Sequence, residues 1–431
     1  MFYPDSGSRK EKESFCVAKA TDITMKALVL AGGVPQIELL TQLRNRNIET
    51  VLADGSNQCI AREYADKFVQ IPIFDVEEVK KLAIKEHVDF LITVCADQVL
   101  LVVAQVSEML GLPCYIDYET AQNVSDKLKM KRIFFENGIP TSRYVEMTKY
   151  DPEQIREFRY PLVVKPVDAY SSRGVRKAYD EDELRVFCKE AGEISRTGGV
   201  IVEEYCAGEE ISVDAFIVNG KAKILCVTNS DKILDDGRFV IYRGKYPVSA
   251  TPKILQQIEE IAQQITDAFG LVNAPLLIQM INDGEHVSVL EFCARTGGNT
   301  KYLLVKYSCD VDVISAAIDL SLGITPTIEP HDTGNVYVVN DFIYCKPGIF
   351  DHLVGFEELQ KQGIINEYHA IRAKGHCAKG VHSSSDRIAT YNVVATSKEE
   401  FNAKLERIIH ETKIEDPNGK DIMRHDLLPQ M

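Results

Sequence analysis

The chain has 431 residues, 45% of them hydrophobic and 26% charged, ordinary proportions for a packed protein. At roughly 150 residues per domain this suggests about three domains, and 26 Gly with 16 Pro are too few for a fibrous or low-complexity chain. The 49 Lys and Arg against 64 Asp and Glu leave a net charge of −15, which repels phosphate backbones and argues against nucleic acid as a partner.

Residues 1–24 read as a solvated polar tail that mixes both charge signs and lacks the apolar segment of a secretory signal. No apolar run approaches the roughly 18 residues of a membrane span, so a cytoplasmic protein without a membrane partner is expected. The 11 Cys form no CxxC and lack metal-site spacing, which predicts reduced, mostly buried thiols.

Residues 26–31 (KALVLA), between the polar tail and Gly32-Gly33, predict a buried strand. Ile37, Leu40 and Leu43 then recur at helical spacing. Further strands are expected at 49–54, 67–71 and 90–95, with an amphipathic helix at 77–86. Strands alternating with helices predict parallel βαβ units. The turn AGGVPQ lacks the G-x-G-x-x-G pattern, so a dinucleotide is not expected there; it is either a tight turn or a loop whose N–H groups hold part of a substrate. A helix is expected at 125–137, with Asp126 and Lys127 at its head and Gly138 at its end.

From residue 162 the pattern changes to antiparallel strands: LVVKPV, RKAY, VIVEEY, ISVDAFIVNG, KAKILCVT, LLIQMIND and VSVLEFCAR. Asn219-Gly220 and Asp283-Gly284 supply hairpin turns. Helices at 252–269 and 311–322 flank these strands. The last region mixes strands with a helix near 398–411.

Five features stand in fixed order. Asp126-Lys127 heads a helix; YPLVVKP (160–166) ends a strand at Lys165; DAYSSRGV (168–175) is a small polar turn; VEEYC (202–206) precedes Gly208, Glu209 and Glu210; and Gln279 lies 12 residues before Glu291 in VLEFCARTGG. Two lysines from different elements neutralise phosphate oxygens, and a Ser/Gly loop offers backbone N–H groups to phosphates. Strand VEEY offers main-chain groups to a base edge, with a carboxylate nearby for ribose hydroxyls. Oxygen ligands on adjacent strands suit Mg²⁺, which keeps waters and shares substrate phosphates. Singly, a Lys before Pro reads as a solvated residue, paired Glu as an exposed edge and SSRG as a turn. Glu291 in an apolar strand is harder to dismiss, because a lone buried carboxylate is costly. Period two places Glu291, Cys293 and Arg295 on one face.

In this order and spacing the chain resembles the ATP-grasp superfamily, within it the carbamoyl phosphate synthetase-like and L-amino acid ligase-like branch, over about residues 25–325. The stretch SSSDRIATYNVVATSKEEF resembles the C-terminal region of biotin carboxylase-type and amino acid ligase-type members. The resemblance implies a mixed α/β and α+β fold in three domains: a Rossmann-like parallel sheet at 25–120, an ATP-grasp domain at 121–325 with a lid at about 140–205, and a small α+β region at 326–431. It implies ATP and Mg²⁺, with Mn²⁺ as a substitute. Lys127 and Lys165 match the nucleotide-binding lysines; Ser171, Ser172 and Gly174 match the lid loop; Glu203, Glu204 and Cys206 match the adenine-contacting hinge; and Glu210 matches the ribose-binding carboxylate. Gln279 and Glu291 match two metal ligands, and Cys293 stands at a third metal position usually held by Asn. Arg295 matches the arginine at the transferring phosphate, making Arg295 and Lys165 the expected catalytic pair.

The activity implied is an ATP-dependent carboxylate–amine ligase that forms an acyl phosphate and passes it to an amine. A bicarbonate-dependent carboxylase or carbamoyl phosphate-type enzyme is one alternative, and a nucleotide-binding module without catalysis is another. Expected partners are a small carboxylate, such as an amino acid, an amine, and a second copy of the chain. For the substrate carboxylate the candidates are the turn TGGNT (296–300), the basic stretch with Arg238, Tyr242, Arg243 and Lys245, and Arg387.

Overall fold

The computed structural model describes residues 24–169, 172–233, 239–331 and 333–427. The first unit runs β1 (Lys26–Leu30), α1 (Val34–Asn45), β2 (Glu49–Asp54), β3 (Lys67–Gln70), α2 (Val76–Glu86), β4 (Phe90–Ile92) and α3 (Asp97–Leu110). Its four strands are parallel in the order β3-β2-β1-β4. Helices cover both faces, so β1 and β4 are continuous apolar runs without alternation. The strand order reverses between β1 and β4, and open α/β sheets bind ligands in the crevice beyond such a point. Ala31 (φ 73°) and Cys95 (φ 61°) turn the chain there through left-handed backbone. The strand expected to reach residue 95 therefore ends at Ile92. Helix α3 escaped the reading because Val99, Leu100, Val102, Val103, Ala104 and Val106 are all buried, leaving little polar face to mark a helical period.

Next come α4 (Tyr118–Ser125) and α5 (Lys127–Glu136). Helix α4 was not expected, and the helix expected at 125–137 follows it over Lys127–Glu136 with Asp126 as its cap. That residue is extended (φ −94°, ψ 112°), and its carboxylate accepts from the N–H groups of Leu128 and Lys129. A short acidic side chain stabilises such a cap better than a helix interior. A four-stranded antiparallel sheet follows, built from β5 (Tyr144–Met147), β6 (Leu162–Pro166), β7 (Arg176–Ala178) and β8 (Val200–Glu204), in the order β5-β8-β6-β7. It is backed by α6 (Glu181–Ile194), which packs Leu184, Cys188 and Ala191 onto Val164 and Val202.

The largest sheet collects β9 (Glu209–Val218), β10 (Lys221–Ile233), β11 (Val240–Tyr246), β12 (Ala274–Asn282) and β13 (Val287–Cys293), with α7 (Pro252–Ala268) between β11 and β12. After α8 (Lys301–Cys309) and α9 (Val313–Ser321) come β14 (Tyr337–Ile343), β15 (Gly348–Ile349), β16 (His352–Val354), α10 (Phe356–Lys361), β17 (Glu367–Ala370), β18 (Cys377–Ala378), β19 (Ala389–Ala395), α11 (Lys398–Glu411) and β20 (Lys413–Glu415). The order β13-β12-β9-β10-β11-β14-β19-β17 makes one eight-stranded sheet, so strands from beyond residue 325 extend the central sheet directly. Across this junction Arg243, Asp341 and Tyr391 lie in register on β11, β14 and β19. The Arg243 guanidinium holds both Asp341 oxygens at 2.5 Å, and Tyr391 donates to the same carboxylate at 2.5 Å.

Helix α7 fixes which face of the sheet is free. Ile254, Ile258, Ile261, Ala262 and Ile265 form its buried stripe, packed on Ile211, Val213, Ala215, Ile278 and Met280. By alternation, Glu210, Ser212, Asp214, Leu277 and Gln279 point to the opposite face. Among the described residues no helix is long and apolar enough to cross a membrane. The described cysteines are all unbridged.

Candidate active site

Two cavities lie on that free face. The first is bounded by the antiparallel sheet of β5–β8 and by the central sheet; Lys127, Lys165, Ser172, Glu203, Glu204, Cys206, Glu210, Gln279 and Glu291 all line it. The second, about 520 Å³, lies between the β1/β4 crevice and the central sheet, and Cys293 and Arg295 line it. Lys127, Ser172, Gln279 and Glu291 line both, so the cavities meet at this corner. Ser171 lies outside the described residues. Gly174 has φ +75°, and a Cβ there would sit 2.9 Å from Ile194 and from Pro166, so the turn requires glycine.

At the corner, Gln279 stands opposite Glu291 across β12 and β13, and opposite Ser212 on β9. Lys127, at the head of α5, forms a short ion pair with Glu291. Burial alone would depress the lysine and raise the carboxyl; their mutual attraction wins, so Lys127 is raised, Glu291 is lowered and both stay charged. Glu210 forms a short ion pair with Lys232 and accepts from Gln279 Nε2 at 3.1 Å, which turns the Gln279 amide oxygen away from Glu210.

Glu203, expected at the adenine-contacting hinge, lines the first cavity but has a buried side chain. It is 3% exposed and accepts from Lys165 at 2.6 Å, Lys131 at 2.9 Å and Ser142 Oγ at 2.8 Å. Burial would raise this carboxyl, but the two lysines hold it well below the usual carboxylate range. Its side chain is therefore committed to orienting lysines, and the cavity wall is carried on through Glu204, Tyr205 and Cys206. Lys177 Nζ lies 3.5 Å from the Tyr205 ring centroid, and the Phe239 ring stacks on Tyr205 at 6.2 Å. Lys131 was missed, although it follows Lys127 by one helical turn on α5.

Strand β13 ends at Cys293, and Arg295, two residues beyond, lines the larger cavity together with Glu291 and Cys293. It forms a short ion pair with Asp97 at the start of α3, adds a 2.9 Å bond from Nη2 to the same carboxylate and donates from Nη1 to Thr296 O at 2.7 Å. Burial would raise Asp97, but Arg295 beside it brings the carboxyl below its ordinary value. Cys293 is pushed well above the usual thiol range, by burial first, with Asp97 and Glu291 adding to it. A neutral thiol is a poor donor for a hard cation, whereas the Gln279 and Glu291 oxygens suit Mg²⁺. Among the described residues no group of three or more His, Cys, Asp and Glu is arranged to hold a metal. Two protein oxygens with phosphate and water completing the shell need no such group.

The expected basic patch is neutralised. Arg243 is bound by Asp341, Lys245 by Asp231 at 2.8 Å and Lys232 by Glu210, while Arg238 lies outside the described residues. Asp97, Lys131, Asp214 and Lys301 are the polar residues that went unread. Lys301 contacts Asp214 at 2.8 Å and donates to Ser212. The alternation in EEISVDAF, polar at every second position, is the signal that could have found Ser212 and Asp214.

Residues 158–302, which contain most of this geometry, match the ATP-grasp domain family. That segment is similar to the ATP-grasp domain. This chain is 34% identical over 194 residues to a 3-methyl-D-ornithine–L-lysine ligase of Methanosarcina acetivorans, covering 44% of this chain and 47% of that protein. The chain thus spans about half the length of the curated relative it matches at that identity. A 3-methyl-D-ornithine–L-lysine ligase of Methanosarcina barkeri is 25% identical over 334 residues, 77% of this chain and 80% of its own length. The fold is also that of an L-amino acid ligase from Bacillus licheniformis, with a TM-score of 0.76 at 19% identity over 92% of this chain and 99% of that one.

Proposed function

We propose that this protein is an ATP-dependent carboxylate–amine ligase. The observation that carries the reading is the meeting of two cavities at Lys127, Gln279 and Glu291. A triphosphate in the first cavity then presents its γ-phosphate to a carboxylate in the second. The carboxylate oxygen attacks the γ-phosphorus, the bond to the β-phosphate oxygen breaks, and ADP leaves an acyl phosphate. An amine in the same cavity attacks the acyl carbon, loses a proton and expels phosphate, giving an amide.

Lys127 and Lys165 neutralise phosphate oxygens, and Arg295 stabilises charge on the transferring group from the substrate side. In this reading Ser172 and Gly174 cover the phosphates with backbone N–H groups, while Glu210, which lines the first cavity, accepts from ribose hydroxyls. Gln279 and Glu291 would hold Mg²⁺, which when bound would neutralise charge on the phosphate oxygens. The relatives' names favour amino acids as substrates. The test is ADP release with MgATP and amino acids or small acids, singly and in pairs. Release dependent on a carboxylate and an amine is expected; release dependent on bicarbonate, or none with any pair, overturns the reading.

A further inference from the structure

The charges lining the larger cavity cancel in pairs with one exception. Lys127 faces Glu291, Arg295 faces Asp97 and Lys301 faces Asp214. Asp168 is met by Arg196 at 3.6 Å. Arg387 also lines this cavity, yet among the described residues no carboxylate pairs with it. Neutral groups hold its guanidinium instead: Nε donates to Tyr344 Oη at 3.2 Å and Nη2 to Ile241 O at 3.1 Å, while Cζ lies 3.5 Å from the Phe342 ring centroid. The ring and the two bonds fix the plane of the cation and leave Nη1 without a hydrogen-bond partner among the described residues. A half-buried cation without a counterion is costly, and an anionic ligand removes that cost.

We infer that Arg387 seats the free carboxylate of an amino-acid acceptor, the amine-bearing substrate of the ligase reading on which this inference rests. One uncancelled positive charge matches a monoanion. Its position selects the acceptor: the carboxylate to be phosphorylated must lie at the Lys127, Gln279 and Glu291 corner, whereas Arg387, Phe342 and Ser384 line the larger cavity and not the nucleotide cavity. The product is then an amide whose free carboxylate remains on Arg387.

The experiment measures ADP release with MgATP and the twenty L-amino acids in pairs, each offered as acceptor in its free-acid form and as its C-terminal amide. The wild type is expected to prefer the free acid. Arg387→Ala should raise the KM for the free-acid acceptor by about 10- to 100-fold, the scale of one charged hydrogen bond, and erase the preference, with the KM for MgATP little changed. Arg387→Lys, which keeps the charge, should recover part of the preference and serves if the alanine variant does not fold. Equal use of acid and amide by the wild type, a preference that survives both substitutions, or a preference that follows the phosphorylated partner overturns the assignment. Absence of ADP release with every pair overturns the ligase reading itself, and the acceptor site with it.

Discussion

Gln279 and Glu291 stand face to face across β12 and β13, next to a register shift between Gln279 and Met280. The pair puts an amide oxygen and a carboxylate at the junction of the two cavities. Glu291→Gln keeps the shape and a bond to Lys127 but removes the charge that a hard cation needs. We expect ADP release to fall by about 100-fold or more, the scale of several kcal/mol of charge stabilisation, with an unchanged circular dichroism spectrum. Wild-type turnover in this variant removes Glu291 from the metal site.

Lys165 lies at the end of β6, 8% exposed and steered by Glu203. Lys165→Ala should weaken MgATP binding by about 1–3 kcal/mol, the scale of one charged hydrogen bond. Calorimetric titration with unchanged affinity would exclude a phosphate contact.

Lys131, Glu203 and Lys165 form a buried ion triad, and Lys131 is pushed below its ordinary pKa by burial, despite the attraction of Glu203. Because the folded Glu203 carboxyl is depressed, its contribution to stability is full above the unfolded carboxyl pKa of about 4.3 and is lost as pH falls through the lower folded value. Glu203→Gln leaves two buried lysines without their anion and should cost about 3–5 kcal/mol at neutral pH. The deficit should shrink as pH falls below about 4. Urea midpoints across that range decide it; a constant gap between the proteins would refute the linkage.

Cys293 is half-buried beside Asp97, and its thiol is held neutral. Iodoacetamide at mildly alkaline pH should therefore leave turnover intact, because the thiolate is the nucleophile. Cys293→Asn should stay active and require less Mg²⁺, since it adds a hard oxygen beside Glu291. Loss of turnover on alkylation, or in the Asn variant, would mean that the thiol itself serves the reaction.

The sequence determined those parts whose physical signals are local. Short apolar runs with turn residues marked β1, β2, β12 and β13, and Asn219-Gly220 marked the β9–β10 turn. The order Lys127, Lys165, Ser172, Glu210, Gln279, Glu291 and Arg295 pointed to nucleotide chemistry before any geometry was known. Tertiary structure alone decided how the charges pair. Asp97 and Arg295 are separated by 198 positions, and Arg387 reaches Ile241 across 146; contacts at such range leave no periodicity in the chain. Nor can local pattern tell a buried Glu203 from an exposed one, since a strand carries Glu at either kind of position, and the two lysines that make burial tolerable come from α5 and β6. The chain's local chemistry pointed to a nucleotide site; the packing of distant elements around a low-dielectric cavity decided which charges are spent on one another and left Arg387 without a carboxylate partner among the described residues.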